Sequence, residues 1–165
     1  MELHNQLIGQ FEHRLFNESI PRIFKCLDLI SEEQVWQRPT PEQASIGHLI
    51  LHLNGNVRQW ILSGLLGDSD DRNRDWEFQT DEKQSISSLK SLLKDLEQDL
   101  RERISDFKNL EGDRQVQGFN ETGVSIIVHV IEHFSYHTGQ IAQFTRILTN
   151  QDLGFYAGLD LNAKS

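Results

Sequence analysis

The chain has 165 residues, of which 37% are hydrophobic, and its formal net charge is −9 at pH 7. This length and hydrophobic content suit a single domain, residues 1–165, with a sizeable core. The negative charge, without a clustered basic face, argues against nucleic acid and anionic lipid as partners. Because there is no run of about 18 apolar residues and no signal-peptide pattern, we expect no membrane span and a cytoplasmic location.

Residues 1–29 are predicted to form the first helix, because apolar residues recur there at spacings of three and four. Pro21 interrupts the pattern, since proline lacks a backbone N–H and clashes with the preceding turn. We therefore expect a kink near residues 17–20 or a break into two pieces. The single cysteine, Cys26, follows the apolar pattern and is predicted to be a small buried side chain rather than a nucleophile.

A capping-box pattern, S-E-E-Q at residues 31–34, predicts a short helix that ends before Pro39 and places Trp36 at the end of the bundle. The second long helix is predicted over residues 45–66. His48 and His52 lie beside its apolar stripe, and His52 is about 40° closer to that stripe. His52 is therefore predicted to reach the core, whereas His48 is predicted to face solvent or the rim.

Residues 68–79 are predicted to be a polar loop between helices. Arg72 and Arg74 in this loop are either solvated or placed at the mouth of a site, where they would meet an anionic group of a substrate. The third long helix is predicted over residues 81–107, which contain no histidine. Three glycines in residues 111–123 predict a loop or a short β-like excursion before the last helix.

The last long helix is predicted over residues 124–148. His133 and His137 stand four residues apart, so they stack one turn above the other at the edge of the buried face. His129 lies about 40° further from that face and is predicted to be a rim residue. Glu132 points about 100° away from His133, so its carboxylate is not expected to serve the histidines.

Four long amphipathic helices predict an all-α four-helix bundle with a kinked first helix and short extra helical turns. The apolar residues of the tail are expected to fold back on this bundle; they are Leu153, Phe155 and Tyr156.

Inward-facing imidazoles need partners for their ring nitrogens, and one divalent metal ion satisfies several of them. His133 and His137 would need a third ligand, and His52 is available on the second helix. The alternative is a group of core-edge histidines that hydrogen bond to neighbouring groups. Three imidazole ligands would leave the fourth position open to water or substrate, which indicates chemistry rather than a purely structural metal.

Two segments, H-L-I-L-H-L-N-G-N-V-R-Q-W-I at residues 48–61 and E-H-F-S-Y-H-T-G-Q-I at residues 132–141, resemble the DinB/YfiT-like metalloenzyme superfamily, in particular a branch of unknown function. The shorter segments W-Q-R-P, R-N-R-D-W-E-F and D-L-G-F-Y are also similar to that branch, so the resemblance covers nearly the whole chain. It implies that the metal ligands are His52, His133 and His137. It also implies an up-down-down-up bundle and pairing as homodimers.

Two functions are consistent with these features. The first is a metal-dependent enzyme in which water or a low-molecular-weight thiol, activated at the open position, attacks a small electrophilic substrate. The resemblance supports both versions, since the superfamily includes thiol-dependent transferases, a thiol-dependent isomerase and proteins described as hydrolases. The second is a non-catalytic metal-binding or stress-response protein, because no general base is evident in the sequence.

Further candidates for contacts with a ligand histidine or with the substrate are Asn56, Tyr136 and Gln140. Imidazole ligands suit several divalent metals, so zinc is the first expectation, by prevalence, and nickel the second.

Overall fold

The first long helix is continuous through its proline. A computed structural model describes residues 2–164, and in it this helix runs as α1 (Glu2–Glu12), a π-helical segment (His13–Ser19) and α2 (Ile20–Leu27). Pro21 is the second residue of α2 and cannot donate the usual backbone hydrogen bond. The wider hydrogen-bonded turns of the π-helix end just before it. The irregularity thus lies where the sequence predicted it, but the chain does not break.

The capping box predicted at residues 31–34 is confirmed by reciprocal hydrogen bonds. The Gln34 N–H donates to Ser31 Oγ at 3.2 Å, and the Ser31 N–H donates to Gln34 Oε1 at 2.9 Å. The 3₁₀ turn that follows is Gln34–Trp36. Trp36 is buried against Gly47, where an added Cβ would lie 2.7 Å from the indole ring, so only glycine fits beneath it.

The second long helix consists of α3 (Ile46–Val57) and a π-helical segment (Arg58–Leu65). Ser45 caps it by accepting a hydrogen bond from the His48 N–H. The expectation of a polar loop over residues 68–79 is wrong in part, because α4 (Arg74–Gln79) forms there. Asn73 caps α4 by accepting from the Trp76 N–H at 3.1 Å.

The remaining elements follow the predicted order. Helix α5 (Ile86–Arg103) continues into a 3₁₀ turn (Ile104–Asp106), and α6 (Gly123–Thr149) is the last helix. Between them β1 (Asp113–Val116) pairs antiparallel with β2 (Phe119–Thr122), which confirms the predicted β-like excursion. The two-residue turn at residues 117–118 has positive φ at both positions, as tight hairpin turns require.

The all-α fold class is confirmed, and contacts between the four long helices give their directions. The first and third helices run antiparallel, and so do the second and fourth, whereas the second and third run parallel. In chain order the directions are therefore up, down, down and up. For the first and third helices, the defining contacts are Phe11–Phe107 and Asp28–Lys90. For the second and fourth, they are His52–His133 and Trp60–His129. For the second and third, they are Arg58–Asp99 and the contacts of Trp36 with both Gly47 and Gln84.

The chain beyond α6 returns to the bundle as expected, although not with every apolar residue. Leu153 is buried and Phe155 packs against the core, but Tyr156 is 52% exposed. Cys26 is buried, as predicted. No helix within residues 2–164 has the length and apolar character needed to cross a membrane.

Candidate metal site

The structure brings together the three histidines that were predicted as ligands. One ring nitrogen from each of His52, His133 and His137 lies within 4.8 Å of the other two. Nε2 of His52 and Nε2 of His133 are 2.9 Å apart. The ring centroids of His133 and His137 are separated by 4.5 Å, and those of His52 and His137 by 5.0 Å. The cluster therefore has the donor atoms and the spacing to hold one metal ion.

Helix geometry explains how two elements build this cluster. His133 and His137 are one turn apart on α6, so both side chains project from the same face, and their rings meet edge to face at 77°. That face packs against α3, which supplies His52 from its own buried side. His52 and His137 are buried and His133 is partly exposed, so the cluster lies at the edge of the core, near solvent on one side.

A buried ion pair orients His52. Glu77 Oε2 lies 2.9 Å from His52 Nδ1, and Arg72 donates to both carboxylate oxygens of Glu77 at 2.7 and 2.8 Å. The side chains of Arg72 and Glu77 are only 4% and 5% exposed. A carboxylate can only accept, so the imidazole donates its Nδ1–H to Glu77 and keeps a lone pair on Nε2. Arg72 Nη2 is also 3.0 Å from Nδ1, but a protonated Nδ1 has no lone pair to accept a hydrogen bond from it.

A glycine in α3 makes room for this ion pair. A Cβ at Gly55 would lie 1.9 Å from Glu77 Oε1, so a larger residue there would displace the carboxylate. Phe78, also from α4, packs on the His52 ring with centroids 4.6 Å apart. The sequence reasoning missed Glu77 and its helix. The signal that could have found α4 was Asn73, a good N-cap, followed by acidic residues in the first turn.

The outer nitrogen of His137 also has a partner. Gln140 Oε1 lies 2.7 Å from His137 Nδ1, and Gln140 Nε2 donates to the Tyr136 hydroxyl at 3.3 Å. An amide oxygen accepts, so His137 carries its proton on Nδ1 and leaves Nε2 free. Gln140 therefore contacts a candidate ligand histidine, as was considered from the sequence. Tyr136 is 62% exposed and contacts the cluster only from its rim.

Two histidines of the cluster, His133 and His137, have pKa values below the usual range and are neutral at pH 7. Burial, together with smaller contributions from the neighbouring His137 and His52 rings, lowers the pKa of His133 to about 3. Burial also lowers the pKa of His137. For Glu77, burial raises the pKa, but hydrogen bonds from Arg72 and His52 outweigh that effect and hold the pKa below its usual range. Neutral imidazoles are the form that binds a metal ion.

The structure corrects two expectations about residues near the cluster. His48 is buried rather than at the rim, because Ser45 Oγ lies 2.6 Å from its Nδ1 and Arg38 and the Thr80 carbonyl lie near its Nε2. Its ring nitrogens are thus satisfied without a metal. Arg72 is buried in its pair with Glu77, so it does not stand at the mouth of a site as a free cation.

The remaining sequence candidates lie as follows. Arg74 packs over the Phe78 ring at 5.0 Å, which places its charge beside α4 rather than in the cluster. His129 is half-buried and stacks on Trp60 with ring centroids 3.6 Å apart. Asn56 on α3 is only 3% exposed, and its Oδ1 makes no hydrogen bond.

Comparison with known proteins agrees with this fold. Residues 10–157 match the family described as "Protein of unknown function (DUF1572)". The chain belongs to this family. The DUF1572 chain is also similar in structure to a DinB-like protein from Bacillus cereus ATCC 10987, with a TM-score of 0.64 and 18% sequence identity over 81% of this chain and 87% of the other. The expected relationship to DinB-like proteins is thereby confirmed for the fold. No curated protein matches the DUF1572 chain.

The donor set of this DUF1572 protein fits a divalent metal. All three candidate ligands are imidazoles, which suit Zn, Ni, Cu and Fe. Glu77 and Gln140 accept from the outer nitrogens of two of them, as outer partners of metal-bound histidines commonly do. His52, His133 and His137 would therefore hold the ion.

Proposed function

We propose that this protein is a metal-dependent enzyme, with His52, His133 and His137 as ligands, that transfers a small thiol to an electrophilic substrate. The observation that carries the proposal is the meeting of three imidazoles from two helices, with the outer nitrogens of His52 and His137 held by Glu77 and Gln140. A divalent metal with three histidine ligands and an open position lowers the pKa of a thiol or a water molecule.

The chain's own residues prepare this chemistry by fixing protons and orientations. Glu77 and Gln140 hold the protons of His52 and His137 on Nδ1, so both Nε2 atoms face the cluster as acceptors. Arg72 fixes the Glu77 carboxylate with two hydrogen bonds, which prevents it from rotating away. The partly exposed His133 lies on the open side, where a small molecule can approach.

The surroundings of the cluster favour thiol transfer over hydrolysis. Hydrolysis is assisted by a general base within hydrogen-bonding reach of the attacking water. Among residues 2–164, Glu77 is the carboxylate that is hydrogen bonded to the cluster, and both of its oxygens already accept from Arg72. Glu132 is exposed and makes no hydrogen bond to the histidines. A thiol, with an ordinary pKa near 8.5, ionises far more readily than water. In the transfer, the sulfur forms a bond to the electrophilic carbon, and the thiol proton leaves with the displaced group.

Two measurements test this proposal. Elemental analysis of protein purified without a metal-affinity step should find about one divalent ion per chain, with zinc as our first expectation and nickel as the second. A panel of small electrophiles should then be consumed faster with an added thiol than in buffer alone. Equal rates with and without thiol would favour hydrolysis, and a metal-loaded protein inactive on the whole panel would favour the non-catalytic metal-binding alternative.

Matched variants separate the site from the fold. His52→Ala should abolish thiol-dependent turnover, whereas His48→Ala, which removes an imidazole one turn away in α3, should keep both metal and turnover. The homodimer and the cytoplasmic location remain proposals, and sedimentation equilibrium would test the first of them.

A further inference from the structure

Two buried polar atoms beside the cluster have no hydrogen-bond partner. Within residues 2–164, the buried side-chain nitrogen and oxygen atoms without a partner are Asn56 Oδ1 and His129 Nε2. Asn56 is 97% buried, given its 3% exposure. Native proteins pair nearly all such atoms, so each one calls for an explanation.

Both atoms lie on the same side of the cluster. Asn56 follows His52 by four residues on α3, and His129 precedes His133 by four residues on α6, so each is one helical turn from a candidate ligand. Because α3 and α6 run antiparallel, these two steps lead in the same direction along the bundle. The position of Trp60 agrees, since it follows Asn56 by one further turn and stacks on His129.

Ring stacking holds His129 in place. Its ring lies 3.6 Å from that of Trp60 at an interplanar angle of 18°, and 5.3 Å from that of His133 at 17°. The imidazole is therefore fixed between an indole and a candidate ligand, while its Nε2 stays without a partner. The imidazole of His129 and the amide of Asn56 thus each keep one polar atom that no protein group satisfies, and a ligand group could satisfy them.

We propose that Asn56 and His129 form a polar subsite that binds a hydroxyl, amine or amide group of the small molecule held at the histidine cluster. This inference rests on the proposed function, because it gives a binding site to the part of the thiol molecule that lies away from its sulfur. Asn56 Oδ1 is an acceptor and so requires an N–H or O–H group from the ligand. A carboxylate would instead place its oxygens against this acceptor, and Arg72, the nearby cation, is already paired with Glu77.

The test uses protein loaded with Co(II) and two thiols that differ in one group. Propane-1-thiol and 2-mercaptoethanol have the same number of non-hydrogen atoms, but only the second carries a hydroxyl. Titrating each against the visible Co(II) spectrum gives two apparent dissociation constants. We expect the wild-type protein to bind 2-mercaptoethanol roughly 3- to 10-fold more tightly, the effect of a single neutral hydrogen bond. Mercaptoacetate should bind less tightly than 2-mercaptoethanol.

Variants assign the preference to the two residues. Asn56→Leu and His129→Phe should each bring the two thiols to within about 2-fold of one another, since one removes the acceptor and the other keeps the stacked ring without its nitrogens. Glu132→Gln, an exposed change on the same helix, should keep the wild-type ratio. Circular dichroism of each variant checks that the bundle has folded.

The possible results distinguish this inference from the proposed function. If the wild-type protein binds both thiols equally, the subsite is wrong while thiol binding at the metal stands. If both variants keep the wild-type ratio, the two orphan atoms are satisfied by water alone and the subsite is again wrong. If no thiol changes the Co(II) spectrum, the proposed function and the subsite both fail. The wild-type comparison needs no variant, so a misfolded variant does not leave the inference undecided.

Discussion

Replacing Glu77 by Gln should weaken both the fold and the metal site. Glutamine has nearly the same shape, but it leaves the buried Arg72 guanidinium without a compensating charge. Breaking a buried pair in this way typically destabilises a protein by about 3–5 kcal/mol. For a domain of this size, that corresponds to a fall in melting temperature of roughly 6–20 °C. The neutral amide is also a poorer acceptor for His52 Nδ1–H, so metal affinity should fall by roughly 10- to 100-fold.

The assay combines thermal unfolding of the metal-free protein with a competitive metal titration. Glu132→Gln is the matched control, because it makes the same chemical change next to a candidate ligand but at an exposed position. The control should change neither the melting temperature nor the metal affinity. If Glu77→Gln unfolds at the wild-type temperature and binds metal with wild-type affinity, the buried ion pair neither supports the fold nor orients His52, and the reasoning is refuted.

Four further predictions can be checked with similar methods. Alanine at any one of His52, His133 and His137 should remove most bound metal in elemental analysis while helix content by circular dichroism is kept. His48→Ala should keep metal but lower the melting temperature, because it empties a buried, hydrogen-bonded position. Gly55→Ala should weaken metal binding, since its methyl group would displace Glu77. Finally, urea titrations of metal-free protein should show stability falling from pH 7.5 to 5.5; equal stability would contradict the buried histidines' lowered pKa values.

The sign of that pH effect follows from which state binds protons. Burial lowers the pKa of His48 and of His137, and it lowers that of His133 to about 3. In the unfolded chain histidines titrate near 6.5. As the pH falls below that value, the unfolded state takes up protons that the folded state does not bind. The free energy of unfolding therefore decreases, and this decrease grows as the pH falls toward the folded-state pKa values.

Much of the fold could be predicted because it depends on local patterns in the sequence. The capping box at residues 31–34, the glycine-containing hairpin turn and the apolar period of the long helices each depend on residues close together in sequence. The alignment of His133 with His137 is local in the same way, since four residues along an α-helix always return to nearly the same face. The irregularity before Pro21 also follows from the missing N–H of a single residue.

The sequence by itself thus determined which side of each helix is apolar and which histidines share a face, because both follow from 3.6 residues per turn. It did not determine what covers the other faces. His48 is buried because Arg38 and the Thr80 carbonyl reach it from other segments, and Glu77 meets His52 across 25 positions in the chain. A helical angle describes a residue relative to its own axis, whereas burial and hydrogen bonding depend on how separate elements pack, which only the tertiary structure decides.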